Sequence, residues 1–306
     1  MKYARVIVNP AAGAGGTAKR WPQIMDLLES TELGFEYDLT EGPGHATELA
    51  KSAVKNGYSL VVSVGGDGTI NEIVNGLYDA ACIDDVALGI ISTGTGGDYI
   101  RTLGIPRSHE QACHGFINPK KLTVDLGVME YTSEGKEIKR LFVNFAGLGF
   151  DAEVVKATTQ KFKALGSTTS YLVGLLSTFL SYTNKEISLT VDGEAEEIRV
   201  CTVIMGNGKY GGGGMLTTPD ADISDGLFDV LIIEDLTKPD LLRSLPRIYK
   251  GTHLTHPKVT LKRAKEVVIQ SRQTMSLQAD GELLGEAPAR FSVLPGVLNV
   301  VIPGDS

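Results

Sequence analysis

Hydrophobic and polar positions follow two different rhythms along the 306-residue chain. Up to about residue 125, short β-branched runs alternate with segments whose apolar residues recur every three or four positions, the mark of strand followed by amphipathic helix. The clearest case is "VVSVGGDGTINEIVNGL", residues 61–77. Val61, Val62 and Val64 read as the end of a buried strand, and Ile70, Ile73, Val74 and Leu77 fall at i, i+3, i+4 and i+7. Thr69 and Glu72 match a Thr-x-x-Glu capping box, which places the helix start near Thr69. The same alternation pairs "ARVIV" with "MDLL", "FEYDL" with "ATELAKSAV", and "VALGII" with "YIRTL". Strand and helix in turn imply parallel strands joined by right-handed crossovers.

Beyond residue 125 the period becomes two, as at Ile187, Leu189 and Val191 and again at Val259 and Leu261. The exceptions are "GFDAEVVKA", the apolar stretch Tyr171 to Tyr182, and "PDLLRSLPRIYKG". Asp192-Gly193 and Asp280-Gly281 fit tight hairpin turns. The expectation is an α/β domain with a parallel sheet over 1–125 and an antiparallel β domain over 126–306. Whether the closing "VLNVVIP" stays in the second domain or returns to the first is open at this stage.

Each strand of the first domain hands over to its helix through a loop rich in Gly or Pro: "NPAAGAGG", "TEGPGH", "GGDG" and "STGTGGD". In an open α/β sheet such loops gather at the carboxyl edge, where ligands bind. Helix N-termini present free N–H groups and partial positive charge, and glycine lets an anion approach the backbone. Phosphate suits this edge, yet Asp67 repels phosphate. A divalent cation between them, or a ribose hydroxyl held by Asp67, removes the conflict.

Composition narrows the classes. At 42% hydrophobic and 22% charged, the chain is neither disordered nor fibrous, and its length suffices for two domains. A net charge of -8 argues against nucleic acid, which demands clustered Lys and Arg. "MKYARVIVNP" lacks the apolar core of a secretory signal, so a cytoplasmic location is expected. Cys82, Cys113 and Cys201 have no C-x-x-C spacing and read as buried small hydrophobes. His253 and His256 read as surface residues. "YLVGLLSTFLSY", after the basic "KFK" at 161–163, is too short to span a bilayer. It reads as a core helix, or as the lining of a lipid entrance or a helix on a membrane surface.

Taken together, "VNPAAGAGG", "TEGPGHA", "GGDGTINEIVNGL", "GTGGDYIRTLGIP", "NFAGLGFDAEV", "GNGKYGGGGMLTTPDADISDGLFDV" and "ADGE" resemble the soluble bacterial lipid kinases of the diacylglycerol kinase family. Their catalytic domain is shared with diacylglycerol and sphingosine kinases of higher organisms. The resemblance runs in order from Asn9 to Glu282. It implies an ATP-binding α/β domain followed by a β-sandwich, with ATP held in the crevice between them and a lipid hydroxyl taking the γ-phosphoryl group. Asn9, Pro10, Ala11, Ala12, Gly13, Thr40, Gly65, Gly66, Asp67, Gly68, Thr69, Asn71, Glu72, Thr93, Gly94 and Thr95 then fall at nucleotide-contacting positions. Asp67 would meet Mg²⁺ or a phosphate-bound water. Asp222, Asp225 and Leu227 match a second, structural Mg²⁺ site; without the resemblance the segment reads as a loop, although the Asp spacing suits a hard cation.

Glu282 matches the family's proton acceptor, with Asp280 beside it. The triplet Asp-Gly-Glu also occurs at 192–194, and order along the chain selects Glu282 over Glu194. At Gly97 the pattern departs from the Asn that many members carry. NAD kinase, which shares the GGDGT loop, and a nucleotide-binding regulator without catalysis are the rival readings. "TINEIVNGL" favours the lipid kinases, and Asp67 with Glu282 favours catalysis. The partners implied are ATP, Mg²⁺ and a lipid substrate met in transient contact with a membrane surface; a homodimer is compatible.

Overall fold

The computed structural model describes residues 3–161, 178–179 and 181–304, and these form two compact units, 1–125 with 296–306 and 126–295.

In the first unit, β1 (Tyr3–Val8), α1 (Gly16–Glu29), β2 (Gly34–Leu39), α2 (His45–Lys55), β3 (Leu60–Gly65), α3 (Asp67–Asp79), β4 (Ala87–Ser92), α4 (Asp98–Leu103) and α5 (His109–His114) follow one another. The strands pair in parallel, β1 lying between β2 and β3, and β4 beyond β3. All six residues of β3 are buried, as a central strand covered on both faces requires. Ala4, Val6, Val8, Val62, Val64 and Ile91 meet Trp21, Ile24 and Leu28 of α1 in the core. Ile70, Ile73, Val74 and Leu77 are buried as their spacing predicts. Gly76 serves the crossing of α3 with α2, because a Cβ there would lie 2.4 Å from the Thr47 carbonyl oxygen.

The second unit is antiparallel. It contains β5 (Pro119–Ser133), β6 (Lys136–Phe142), β7 (Phe145–Gly149), α6 (Phe150–Lys161), β8 (Lys185–Val191), β9 (Glu194–Gly206), a small ladder of β10 (Tyr210–Gly211) with β11 (Met215–Leu216), β12 (Phe228–Glu234), α7 (Lys238–Ile248), β13 (Val259–Ala264), β14 (Glu266–Ser271), β15 (Ser276–Ala279), β16 (Glu282–Glu286) and β17 (Ala289–Pro303), although β5 begins and β17 ends in the first unit. The long β9 pairs with β8 over its first half and with β7 and β12 over its second. Met129, Phe142, Leu189, Val203, Met205, Phe228, Ile269, Leu277 and Phe291 share its main core, with Phe142 stacked on Phe228 at 5.5 Å between ring centroids.

The closing strand divides. Val267 to Ile269 pair antiparallel with Phe291 to Ala289, whereas Asn299 and Val300 pair in parallel with Ala87 and Leu88 of β4. The second unit therefore ends at Pro295, short of the 306 expected, and the chain returns to complete the first sheet. Its return is pinned by Asp125, whose carboxylate accepts the Gly296 N–H at 2.7 Å. Most of the apolar stretch from Tyr171 to Tyr182, and Phe162 and Lys163 of "KFK", lie outside the described residues. Cys113 and Cys201 are buried, but Cys82 is partly exposed. His253 is buried too, against expectation: it lies within a short helical turn, Thr252–Thr255, and its Nε2 meets the Thr217 carbonyl oxygen at 2.9 Å.

Candidate active site

The parallel register brings the carboxyl ends of β1, β3 and β4 together, and their loops are stitched by backbone bonds. Asn9 N–H donates to Val64 O at 2.9 Å, Thr93 N–H to Gly65 O at 2.8 Å, and Thr40 N–H to Val8 O at 2.8 Å. The Asn9 side chain accepts the Ala11 N–H at 3.1 Å and donates to Thr69 Oγ1 at 3.0 Å, tying the Pro10–Gly13 loop to the start of α3. A Cβ on Gly94 would lie 2.5 Å from the Gly66 Cα, so glycine here serves the packing of loop on loop. Gly68 has open space where its Cβ would be. Of the candidate residues in this loop cluster, Ala11, Gly68 and Thr95 are the exposed ones.

The capping box is not formed. The α3 helix starts at Asp67, with Gly66 as a cap that offers no side chain. Its acidic groups serve its neighbours instead. Glu72 accepts the N–H groups of Gly44 and Ala46 at 2.9 and 3.1 Å, capping the start of α2. Asp67 Oδ2 accepts from Gly97 at 3.0 Å and from Asp98 at 3.4 Å, and Oδ1 from Tyr99 at 3.4 Å, capping the start of α4. Burial, and then the charge of Asp98, raise the Asp67 carboxyl above the ordinary aspartate value against these three amides. Thr69 and Asn71 are buried, and Asn71 is bonded to Asn75. Glu72 and Asn71 are thus turned to structural partners, while the first amides of α3 are left without a side-chain cap.

Sequence reasoning passed over the cations at this edge. Arg20, on the first turns of α1, donates to the Thr93 carbonyl at 3.4 Å, and Arg107 donates to the Gly96 carbonyl. Thr17 was missed as well; it shares a 2.6 Å hydrogen bond with Thr93. The available signal was position, since both Thr17 and Arg20 follow the Gly13–Gly16 loop within a helical turn.

In the second unit the Asp280-Gly281 turn has both residues at positive φ, 47° and 81°. Asp280 accepts three backbone N–H groups, from Val143 at 2.7 Å and from Asn144 and Phe145 at 3.0 Å. Three such bonds fix the turn to the start of β7. From below, Gln278 accepts the Gly281 N–H at 3.1 Å and donates to Asp151 at 3.0 Å, while Thr202 donates to Asp151 at 2.7 Å. Glu282 emerges from this rigid turn with one oxygen on Arg140 at 2.7 Å and its side chain 38% exposed. The Asp192-Gly193 turn repeats the device: Asp192 accepts from Lys265 and Glu266 N–H groups at 3.0 and 2.9 Å. Glu194, in contrast, is exposed, on a surface it shares with Lys262 and Arg263.

The loop proposed for a metal ion has its carboxylates engaged. Asp222 accepts from the Ser224 N–H and hydroxyl at 3.0 and 2.7 Å, which holds it below the ordinary carboxylate range. Asp225 accepts the Leu227 N–H at 3.0 Å and pairs with Arg263. Among the described residues no group of three or more His, Cys, Asp or Glu side chains converges as a metal centre.

Against this geometry, comparison with known proteins is decisive. Residues 3–129 match the diacylglycerol kinase catalytic domain, and residues 144–302 match the YegS C-terminal NAD kinase beta sandwich-like domain. Diacylglycerol kinase of Staphylococcus carnosus is 30% identical over 99% of this chain and 96% of its own. The chain belongs to the diacylglycerol kinase family. It is therefore a phosphotransferase with an alcohol acceptor. Diacylglycerol kinase of Bacillus subtilis is also 30% identical, over 99% of this chain and 97% of that one. Solved structures agree in fold: a diacylglycerol kinase of Bacillus anthracis aligns with a TM-score of 0.73 at 21% identity, covering 98% of this chain and 97% of the other. Yeast NADH kinase complexed with NADH aligns at 0.52 and 10% identity over 99% and 84% of the two chains. No helix among the described residues is long and apolar enough to cross a membrane.

Proposed function

We propose that this protein is an ATP-dependent kinase that phosphorylates a hydroxyl of diacylglycerol or a related lipid, with Glu282 as proton acceptor. The observation that carries the residue assignment is the rigid turn. Asp280 is committed to three amides, so Glu282 is the carboxylate beside it that retains an oxygen for substrate. Phosphoryl transfer needs positioning and charge stabilisation more than covalent help. The lipid hydroxyl oxygen bonds to the γ-phosphorus, the bond to the bridging oxygen of ATP breaks, the hydroxyl proton passes to Glu282, and ADP leaves. Nucleotide is assigned to the stitched loops, Asn9 to Gly13, Thr40, Gly65 to Thr69 and Thr93 to Thr95, with the uncapped amides of α3 facing phosphate. Arg20 and Arg107 add positive charge there.

Mg²⁺ is assigned to Asp222, Asp225 and the Leu227 carbonyl. These are oxygen donors of the kind a hard cation takes, and a cation there would take the place of Arg263 on Asp225. This ion would be the second, structural one; Mg²⁺ or a phosphate-bound water met by Asp67 would offset the charge of the phosphates. The protein is placed in the cytoplasm, meeting its lipid at a membrane surface.

The test is incubation with labelled ATP and separate diacylglycerol, sphingosine, phosphatidylglycerol and NAD. Label in phosphatidic acid supports the reading; label in NADP alone, or in nothing, overturns it. Glu282→Gln should lower turnover by at least about a hundredfold, the scale of a lost general base, with ATP affinity held. Glu194→Gln should leave both unchanged, and the reverse pattern would reject Glu282.

A further inference from the structure

Gln278 is a buried amide on β15, 6% exposed, directly beneath the Asp280-Gly281 turn. Burying an amide is unfavourable unless its donor and acceptor ends are both bonded, and here both are. Oε1 accepts the Gly281 N–H at 3.1 Å, and Nε2 donates to Asp151 Oδ2 at 3.0 Å. Which end faces the turn is set by what waits at the other end. Asp151, in the first turn of α6, accepts there and is itself held by Thr202, so it takes the NH₂ group and leaves the oxygen for the backbone of the turn. The neighbouring strand makes room for this contact. Gln278 pairs with Gly147 of β7, where a Cβ would lie 2.3 Å from Asp151 Oδ2. Yet the turn forms elsewhere without such a brace. Asp192 and Gly193 have φ of 46° and 88°, against 47° and 81° for Asp280 and Gly281, and Asp192 likewise accepts backbone N–H groups. Among the described residues no side chain accepts the Gly193 N–H. The braced turn is the one followed by the assigned proton acceptor.

We propose that Gln278 and Asp151 are positioning residues for phosphoryl transfer, holding the Gly281 peptide so that Glu282 stays aimed at the acceptor hydroxyl. The inference rests on the assignment of Glu282 as proton acceptor. A general base must stay within hydrogen-bond reach of its proton, and a misplacement of about 1 Å costs up to about a hundredfold in rate. A turn fixed at its aspartate alone leaves the peptide next to Glu282 without a side-chain partner; the Gln278 oxygen supplies one.

The test is a double-mutant cycle on the full chain, read by kcat on a short-chain diacylglycerol in detergent, by ATP affinity and by the urea midpoint. Gln278→Met keeps the length of the side chain and removes both bonds. It should lower kcat by about 10- to 100-fold, with ATP affinity held. In a Glu282→Gln background the same change should cost nothing further, because the group it aims is gone. A merely structural role would lower kcat alike in both backgrounds. Gln278→Glu sets two carboxylates against each other and should be as damaging; adding Asp151→Asn exchanges acid and amide and should restore most of the rate. A silent Glu282→Gln rejects the proton acceptor and this proposal with it. A damaging Glu282→Gln beside a silent Gln278→Met, or losses that multiply, rejects the positioning alone. Where Gln278→Met does not fold, the exchanged pair decides: Gln278→Glu that Asp151→Asn does not rescue overturns the proposal.

Discussion

Asp229 shows what one residue contributes. It is 2% exposed on β12, and burial first, then the charge of Asp220, push its carboxyl from 3.8 up to about 6. A carboxyl raised on folding favours the folded state when protonated. Its contribution is complete below pH 3.8 and is lost as pH climbs through about 6, by at most about 3 kcal/mol. Asp229→Asn should therefore raise the urea midpoint at pH 7 and leave it unchanged near pH 4. Gly97 is a second case. It has φ of +61°, which Asn tolerates better than other side chains, and a Cβ there would lie 3.0 Å from the Arg107 guanidinium. That guanidinium is the end of a flexible side chain. Gly97→Asn should fold and alter ATP affinity by no more than about tenfold, the worth of one hydrogen bond, as titration calorimetry would read.

At the scale of elements, sequence and structure part at the helix starts. The periodicity of α3 gave its buried face correctly, because spacing alone determines which residues share a side. It placed the start two residues late and assigned Glu72 to the wrong helix, because a capping motif looks the same whether its acid reaches back or across to α2. Such reach is tertiary, and no local pattern contains it. The same limit applies to Asp67, Arg140 and Gln278, whose partners lie 30 to 142 positions away. Glu72→Ala should then leave α3 intact and loosen the first turn of α2, by about 1 kcal/mol. Hydrogen exchange at Gly44 and Ala46 would detect it. Faster exchange confined to the first turn of α3 would restore the capping box.

For the whole molecule, the parallel and antiparallel halves were legible from the change of period near residue 125, since each sheet type buries its strands differently. The path of β17 was not, because "VLNVVIP" suits either sheet. Its pairing with β4 predicts the outcome of truncation. A chain stopped at Pro295 keeps the pairing of Ala289 to Phe291 with β14 but uncovers the edge of β4. The melting midpoint of the first unit should fall and that of the second should hold, with aggregation following from the open edge. Two unchanged transitions in calorimetry would count against this.

Timing during synthesis follows from that same strand. Asn299 follows Ser92 by 207 positions of chain. At about 5 to 20 residues per second, the ribosome needs roughly 10 to 40 s to supply the partner of β4. Throughout that interval the earlier-made unit waits with a bare sheet edge, and the later-made one has its last residues just before the closing strand, at Pro295. The part of the protein translated first is thus the part that matures last, and its exposed edge is where a chaperone would find the nascent chain.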